Sequence, residues 1–140
     1  MSGAELDALV KIGKLKIEPA SRSEYMGLVS SAGRRLADAR DESLSAESRF
    51  DLAYNAAHGL ALASLRRKGY RPDGRYLVFQ VLPHTAGLDA SVWRVLSKCH
   101  DQRNLAEYEG HSEVDMRLLS DLIRCATLLE SAVQKLAVPD

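Results

Sequence analysis

No apolar run in this chain comes near the ~20 residues that a membrane-spanning helix needs. The longest, roughly Leu77 to Leu82, falls far short, so no membrane association is expected. The opening MSGAELDALVKIGK lacks the apolar centre of a signal peptide. Cysteine is scarce: Cys99 and Cys125 show no CxxC spacing and fall on expected inward helix faces. They read as small reduced core residues rather than a disulfide or a metal pair, and a cytoplasmic location is expected. Surplus charge is missing too, since 19 Lys+Arg balance 19 Asp+Glu. That excludes nucleic-acid binding by bulk charge, and any such contact must be local.

Chemical signatures are equally sparse. The two common phosphate cradles, GxxxxGK[ST] and GxGxxG, do not occur. Neither HExxH nor a zinc-type Cys/His pairing is present, and His58, His84, His100 and His111 are too scattered to propose a metal site. A GxSxG elbow is lacking as well. No metal and no cofactor are expected.

What the chain does have is helical periodicity. Its 140 residues, 46% of them hydrophobic, suffice for one domain with a real core but not for two. Residues 1–20 read as a short N-terminal helix (Ala4–Ile12), ended by Gly13, and a basic connector broken by Pro19. Lys11, Lys14 and Lys16 there could touch phosphates, but a solvated, mobile N-terminus is the plainer reading. Residues 21–138 carry the main helices. Ser21 or Ser23 caps a helix to about Asp41, with a stripe of Tyr25, Val29, Ala32, Leu36 and Ala39. A third helix, Ser45 to Lys68, shows an alanine-rich face of Phe50, Ala53, Tyr54, Ala57, Ala61, Ser64 and Leu65. Such a face lets helix backbones pack tightly. His58, one turn from Tyr54, reads as a satisfied core-edge histidine, and Arg66-Arg67-Lys68 as cations favouring the helix dipole.

Gly69–Gly74 is rich in turn residues and reads as a loop. The following RYLVFQVL would suit a strand, but a lone strand has nothing to pair with. A short helix ending around Pro83 is expected instead. Ser112 with Asp115 resembles a capping box opening the last helix, which carries Leu118, Leu122, Cys125, Leu129 and Leu136.

The chemistry concentrates on the helix Val92–Gly110, around which the chain is expected to be organised. Val92, Val95, Leu96, Cys99 and Ala106 follow helical spacing and should face inward. Beyond Cys99 the helix becomes crowded with groups able to hold a phosphate or move a proton: His100, Asp101, Arg103, Asn104, Glu107 and Tyr108. Asn104 and Tyr108 lie one turn apart on one face, with Arg103 and Glu107 on the next. An exposed Arg103–Glu107 ion pair is the plain reading of that spacing.

The alanine-rich helix with YNAAH (54–58), the loop GYRP (69–72) and RNLAEYEG (103–110) resemble the HEPN superfamily of small all-α domains from bacterial toxin–antitoxin and defence systems. The likeness runs from about Leu28 to Leu129. It implies an all-α, up-and-down bundle of four to five main helices plus the short N-terminal one. It also implies a homodimer that brings two copies of the Val92–Gly110 helix together. Active members are metal-independent endoribonucleases with a motif of Arg, a polar residue, and His after four to six intervening residues. Arg103 and Asn104 match its first half. Its histidine does not fall where expected: four intervening residues lead to Tyr108, six to Gly110, and His111 follows one later. Tyrosine, with a pKa near ~10, is a poor base but can donate to phosphate or stack on a base.

Two function classes follow from the resemblance. In one, the chain is RNA-directed, a ribonuclease-type toxin or RNA-binding protein with a composite site at a dimer cleft. Arg103, Asn104 and His111 would then be catalytic, with His111 or His100 supplying the acid–base function, and Arg103, Asn104, Tyr108 and His100 would bind RNA. In the other, it is a non-catalytic helical dimer that engages a nucleotidyltransferase-type antitoxin or another defence partner.

Overall fold

The computed structural model describes residues 2–74, 76–109 and 113–140, with all their side chains except those of Ser2 and 106–109. Along the chain these form α1 (Ser2–Lys11), β1 (Leu15–Ile17), α2 (Arg22–Ala39), α3 (Ala46–Arg67) and β2 (Tyr70–Pro72). The series continues with α4 (Leu77–Gln80), α5 (Leu82–Thr85), α6 (Ala90–Glu109) and α7 (Met116–Gln134). Apart from one two-stranded ribbon, the described residues make an all-α bundle. None of its helices is long and apolar enough to cross a membrane.

Side-chain caps fix where the long helices begin. Ser21 accepts from the Glu24 amide and Ser45 from the Ser48 amide, satisfying donors that a helix start leaves open. Asp115 caps α7 itself, accepting from the Arg117 and Leu118 amides. The expected capping box placed it at the third position instead, and Ser112 lies outside the described residues.

The helix at the centre of the core is α3, not α6. Its buried residues include Phe50, Ala53, Tyr54, Ala57, Leu60, Ala61, Ser64 and Leu65, and it packs against α2, α7 and every element from β2 to α6. Alanine makes this possible, because a helix without bulky side chains accepts neighbours on several sides. α2 runs antiparallel to it: Arg49 Nε donates to the Ala39 carbonyl at one end, and Arg66 reaches Glu24 at the other. The α2 stripe buries Tyr25, Ala32, Leu36 and Ala39. Helix α7 contributes Leu119, Leu122, Cys125, Leu129 and Val133, and Trp93 packs half-buried against the same core. Cys99 and Cys125 are buried free thiols, and desolvation pushes the Cys99 thiol up to about 12.

The expected connector and loop on either side of the α2–α3 hairpin prove to be strands. β1 and β2 pair antiparallel, Leu15 opposite Pro72, Lys16 opposite Arg71 and Ile17 opposite Tyr70. Gly69, at φ +89°, turns the chain straight from α3 into the ribbon. Such short strands have no readable periodicity; their pairing depends on the helix hairpin that brings them together. The segment after the ribbon is helical as expected, but it breaks at Val81 into α4 and α5, with Pro83 in the first turn of α5.

Arg66 ties the ribbon to the bundle. It is 2% exposed and therefore not the solvated C-terminal cation that its sequence position suggests. Its Nε donates to Glu24 Oε1 (2.7 Å), and its two amino groups donate to the carbonyls of Glu18, Pro19 and Tyr70. Arg71 completes the clasp, donating to Glu18 Oε2 (2.8 Å) and Glu24 Oε2 (2.6 Å). Hydrogen bonding from Arg71 is the main reason both carboxyls titrate below their ordinary value.

Candidate functional site

One cavity of about 620 Å3 lies between α6, the start of α4 and the N-terminal segment. Each wall has its own origin. Helix α6 supplies His100, Arg103 and Asn104, which three- and four-residue spacing sets on adjoining faces. The central helix α3 supplies Tyr54, and the turn into α4 supplies Tyr76 and Leu77. Leu9 and Ile12 come from α1 and its end, while Lys14 and Asp73 flank the ribbon, joined by the Asp73 amide donating to the Lys14 carbonyl (3.0 Å).

His100 is the hub. Its Nδ1 lies 2.9 Å from Tyr54 Oη, and its Nε2 lies 3.3 Å from Asn104 Nδ2. With the Asn104 amide as donor, Nε2 is the unprotonated nitrogen and Nδ1–H donates to Tyr54. Tyr54 is 1% exposed, so the imidazole is anchored from the core side while Nε2 presents its lone pair toward Asn104. The Tyr76 ring covers the imidazole, with centroids 5.0 Å apart, and its hydroxyl is held by Ser97 Oγ at 2.8 Å. The Arg103 guanidinium stands over the Tyr54 ring, 5.2 Å from its centroid. Phe79 meets Tyr54 edge-on, and His58 meets Phe79 in the same way, so His58 belongs to the packing behind the site.

This arrangement can bind an anion and move a proton. Among the described residues, the lining carries two cations, Lys14 and Arg103, and one carboxylate, Asp73. A guanidinium braced on an aromatic ring is suited to fork-like contact with phosphate. Among the described residues, no three His, Cys, Asp or Glu side chains gather to hold a metal ion.

Of the residues singled out in the sequence, His100, Arg103 and Asn104 come together here. The side chains of Glu107 and Tyr108, and the whole of His111, lie outside the described residues. Tyr54 was visible in YNAAH, but as a core residue. Tyr76 carried no sequence signal of a site, and Lys14 only that of one basic residue among three, because only the ribbon and the α4 turn bring them to the cavity. No protein-family model matches the chain, and no curated protein matches it either.

Proposed function

We propose that the chain is a HEPN-like, RNA-directed domain whose working groups are Arg103, Asn104 and His100. The single observation that carries this reading is their convergence on one cavity, with His100 oriented by a buried tyrosine. In the proposed reaction Arg103 and Asn104 hold a phosphodiester. His100 Nε2 takes the proton of the neighbouring 2′-OH, whose oxygen attacks phosphorus. The P–O5′ bond breaks, leaving a 2′,3′-cyclic phosphate, and the departing 5′-oxygen takes up a proton. An imidazole is suited to the first step because it accepts a proton near neutral pH at its ordinary pKa of ~6.5. His111 is the candidate donor for the second. Tyr108 is the further candidate contact to RNA. A symmetric homodimer would set two such sites beside one another, an isologous contact of the two α6 ends.

The test is incubation of single-stranded RNA with the protein in the presence of a chelator, with Arg103→Ala as control. Cyclic-phosphate products from the parent and none from the variant are expected. Intact RNA at high protein concentration would discard the ribonuclease reading. A monomer by light scattering at micromolar concentration would remove the composite cleft.

One observation favours the second reading. Both ring nitrogens of His100 are engaged by protein side chains, so the Tyr54–His100–Asn104 chain also ties α3 to α6. In a non-catalytic module that binds a nucleotidyltransferase-type or other defence partner, this bridge would be its purpose. His100→Ala would then lower stability without changing any RNA signal.

A further inference from the structure

We infer that the outer edge of β1 docks a second copy of this chain, whose own β1 adds antiparallel to it with Ile17 opposite Ile17 across a two-fold axis. The inference is independent of the RNA-directed reading. It starts from which backbone groups the ribbon uses. Glu18 N–H donates to the Gly69 carbonyl and Asp73 N–H to the Lys14 carbonyl, so positions 14, 16 and 18 face β2. The bonding direction alternates along an antiparallel strand, so Leu15 and Ile17 aim their N–H and C=O groups the other way. Among the described residues, neither has a hydrogen-bond partner on that side. Strand β2 differs. Its Tyr70 carbonyl is taken by Arg66, and Pro72 has no N–H, so its outer edge is closed. An edge left open is a template for another strand.

The side chains along the open edge point to the occupant. Ile17 is 71% exposed, and Lys16 beside it is exposed too. Within the ribbon Lys16 stands opposite Arg71, a like charge that disfavours the pairing, and it makes no ion pair among the described residues. Glu18, two residues on, gives only Oε2 to Arg66 and Arg71, which leaves Oε1 open. A two-fold axis at Ile17 sets Lys16 of each copy opposite Glu18 of the other. Two ion pairs then flank an isoleucine pair whose backbones exchange two hydrogen bonds. Moving the axis to Lys16 would instead set like charges face to face. An unrelated strand would need the same order of base, apolar residue and acid, which a second copy already has.

So short a contact buries little surface and associates weakly, so cross-linking is the way to trap it. In a hydrogen-bonded antiparallel pair the Cα atoms lie about 5.5 Å apart, within the span of roughly 4.4–6.8 Å that a disulfide bridges. Ile17→Cys, Ile12→Cys and Lys16→Cys are each incubated as full chains with oxidised glutathione, and linked dimer is read on a non-reducing gel. The native thiols, Cys99 and Cys125, are buried. Ile17→Cys is expected to yield dimer, while Ile12→Cys, a matched site at 67% exposure, should not. Adding Lys16→Glu to Ile17→Cys sets carboxylates opposite one another and should slow the cross-link about tenfold, with the melting temperature held. Equal cross-linking of Ile12→Cys and Ile17→Cys would mean collision alone and would overturn the inference. Dimer from Lys16→Cys in place of Ile17→Cys, or a rate indifferent to Lys16→Glu, would overturn it as well. So would the absence of dimer from an Ile17→Cys protein that melts like its parent.

Discussion

Arg66 and Arg103 both sit near the C-terminal end of a long helix, and the protein uses them in opposite ways. Arg66 is sealed from solvent, and its guanidinium is spent on four hydrogen bonds to Glu24 and to the carbonyls of Glu18, Pro19 and Tyr70. Arg103 is half-buried, braced against the Tyr54 ring and directed along the lining of the cavity. A forked cation wrapped in carbonyls is a fastener. One laid on an aromatic face beside an open volume is part of a cavity wall. The residue type is the same, and the surroundings decide which role it takes.

Substitution of the fastener should break this contrast most visibly. Arg66→Ala strands three carbonyls and leaves Glu24 with Arg71 alone, and is expected to cost about 1–3 kcal/mol in urea unfolding. Arg66→Lys should recover little, since an ammonium cannot reproduce the fork. A midpoint close to the parent's for either variant would make the clasp ornamental. Tyr54→Phe comes next. It removes the partner of His100 Nδ1 inside the core, at an expected ~1–2 kcal/mol, and should also alter the pH profile of any RNA cleavage. A stability loss with an unchanged profile would assign Tyr54 to packing alone.

Acid should loosen the clasp more gently. Glu24 and Glu18 titrate in the folded protein below their ordinary value of 4.5, chiefly because of Arg71. Their contribution is therefore complete above that value and is lost as pH falls through the lowered folded values. The melting temperature should drop on acidification below 4.5, and Glu24→Gln should flatten that dependence. The smallest effect on stability belongs to Arg103→Ala. Its cation–π contact with Tyr54 is worth about 0.5–1 kcal/mol, while RNA affinity should fall markedly. A melting point many degrees lower, in a parent that binds no RNA, would make Arg103 a second fastener.

The same two regions show what the amino-acid order reveals. The long helices are legible because their signals are local: caps at Ser21 and Ser45, an apolar stripe on α2 and an alanine face on α3. Arg66 misleads, since a cation at a helix C-terminus is ordinarily solvated and only the neighbouring ribbon buries it. The ribbon itself was hidden for the same reason. Neither Leu15–Ile17 nor Tyr70–Pro72 carries a pattern, and each becomes a strand only through the other. At the cavity, His100, Arg103 and Asn104 could be read because one helix carries all three. Tyr76 could not, and Lys14 could not be told from Lys11 and Lys16, because both arrive from distant parts of the chain.

The pairing of β1 with β2 also sets an order of assembly. Its partners are far apart in sequence, but the α2–α3 hairpin lies between them. Once that hairpin has formed, most of the loop to be closed has already been taken up. The ribbon can then zip from Ile17–Tyr70, beside the helices, outward to Leu15–Pro72 and the Lys14–Asp73 bond at the rim. The cavity is thus finished by the last stitch of folding and undone by the first fraying. Hydrogen exchange should record this as faster exchange at the Asp73 amide than in the middle of α3, in a protein otherwise fully native.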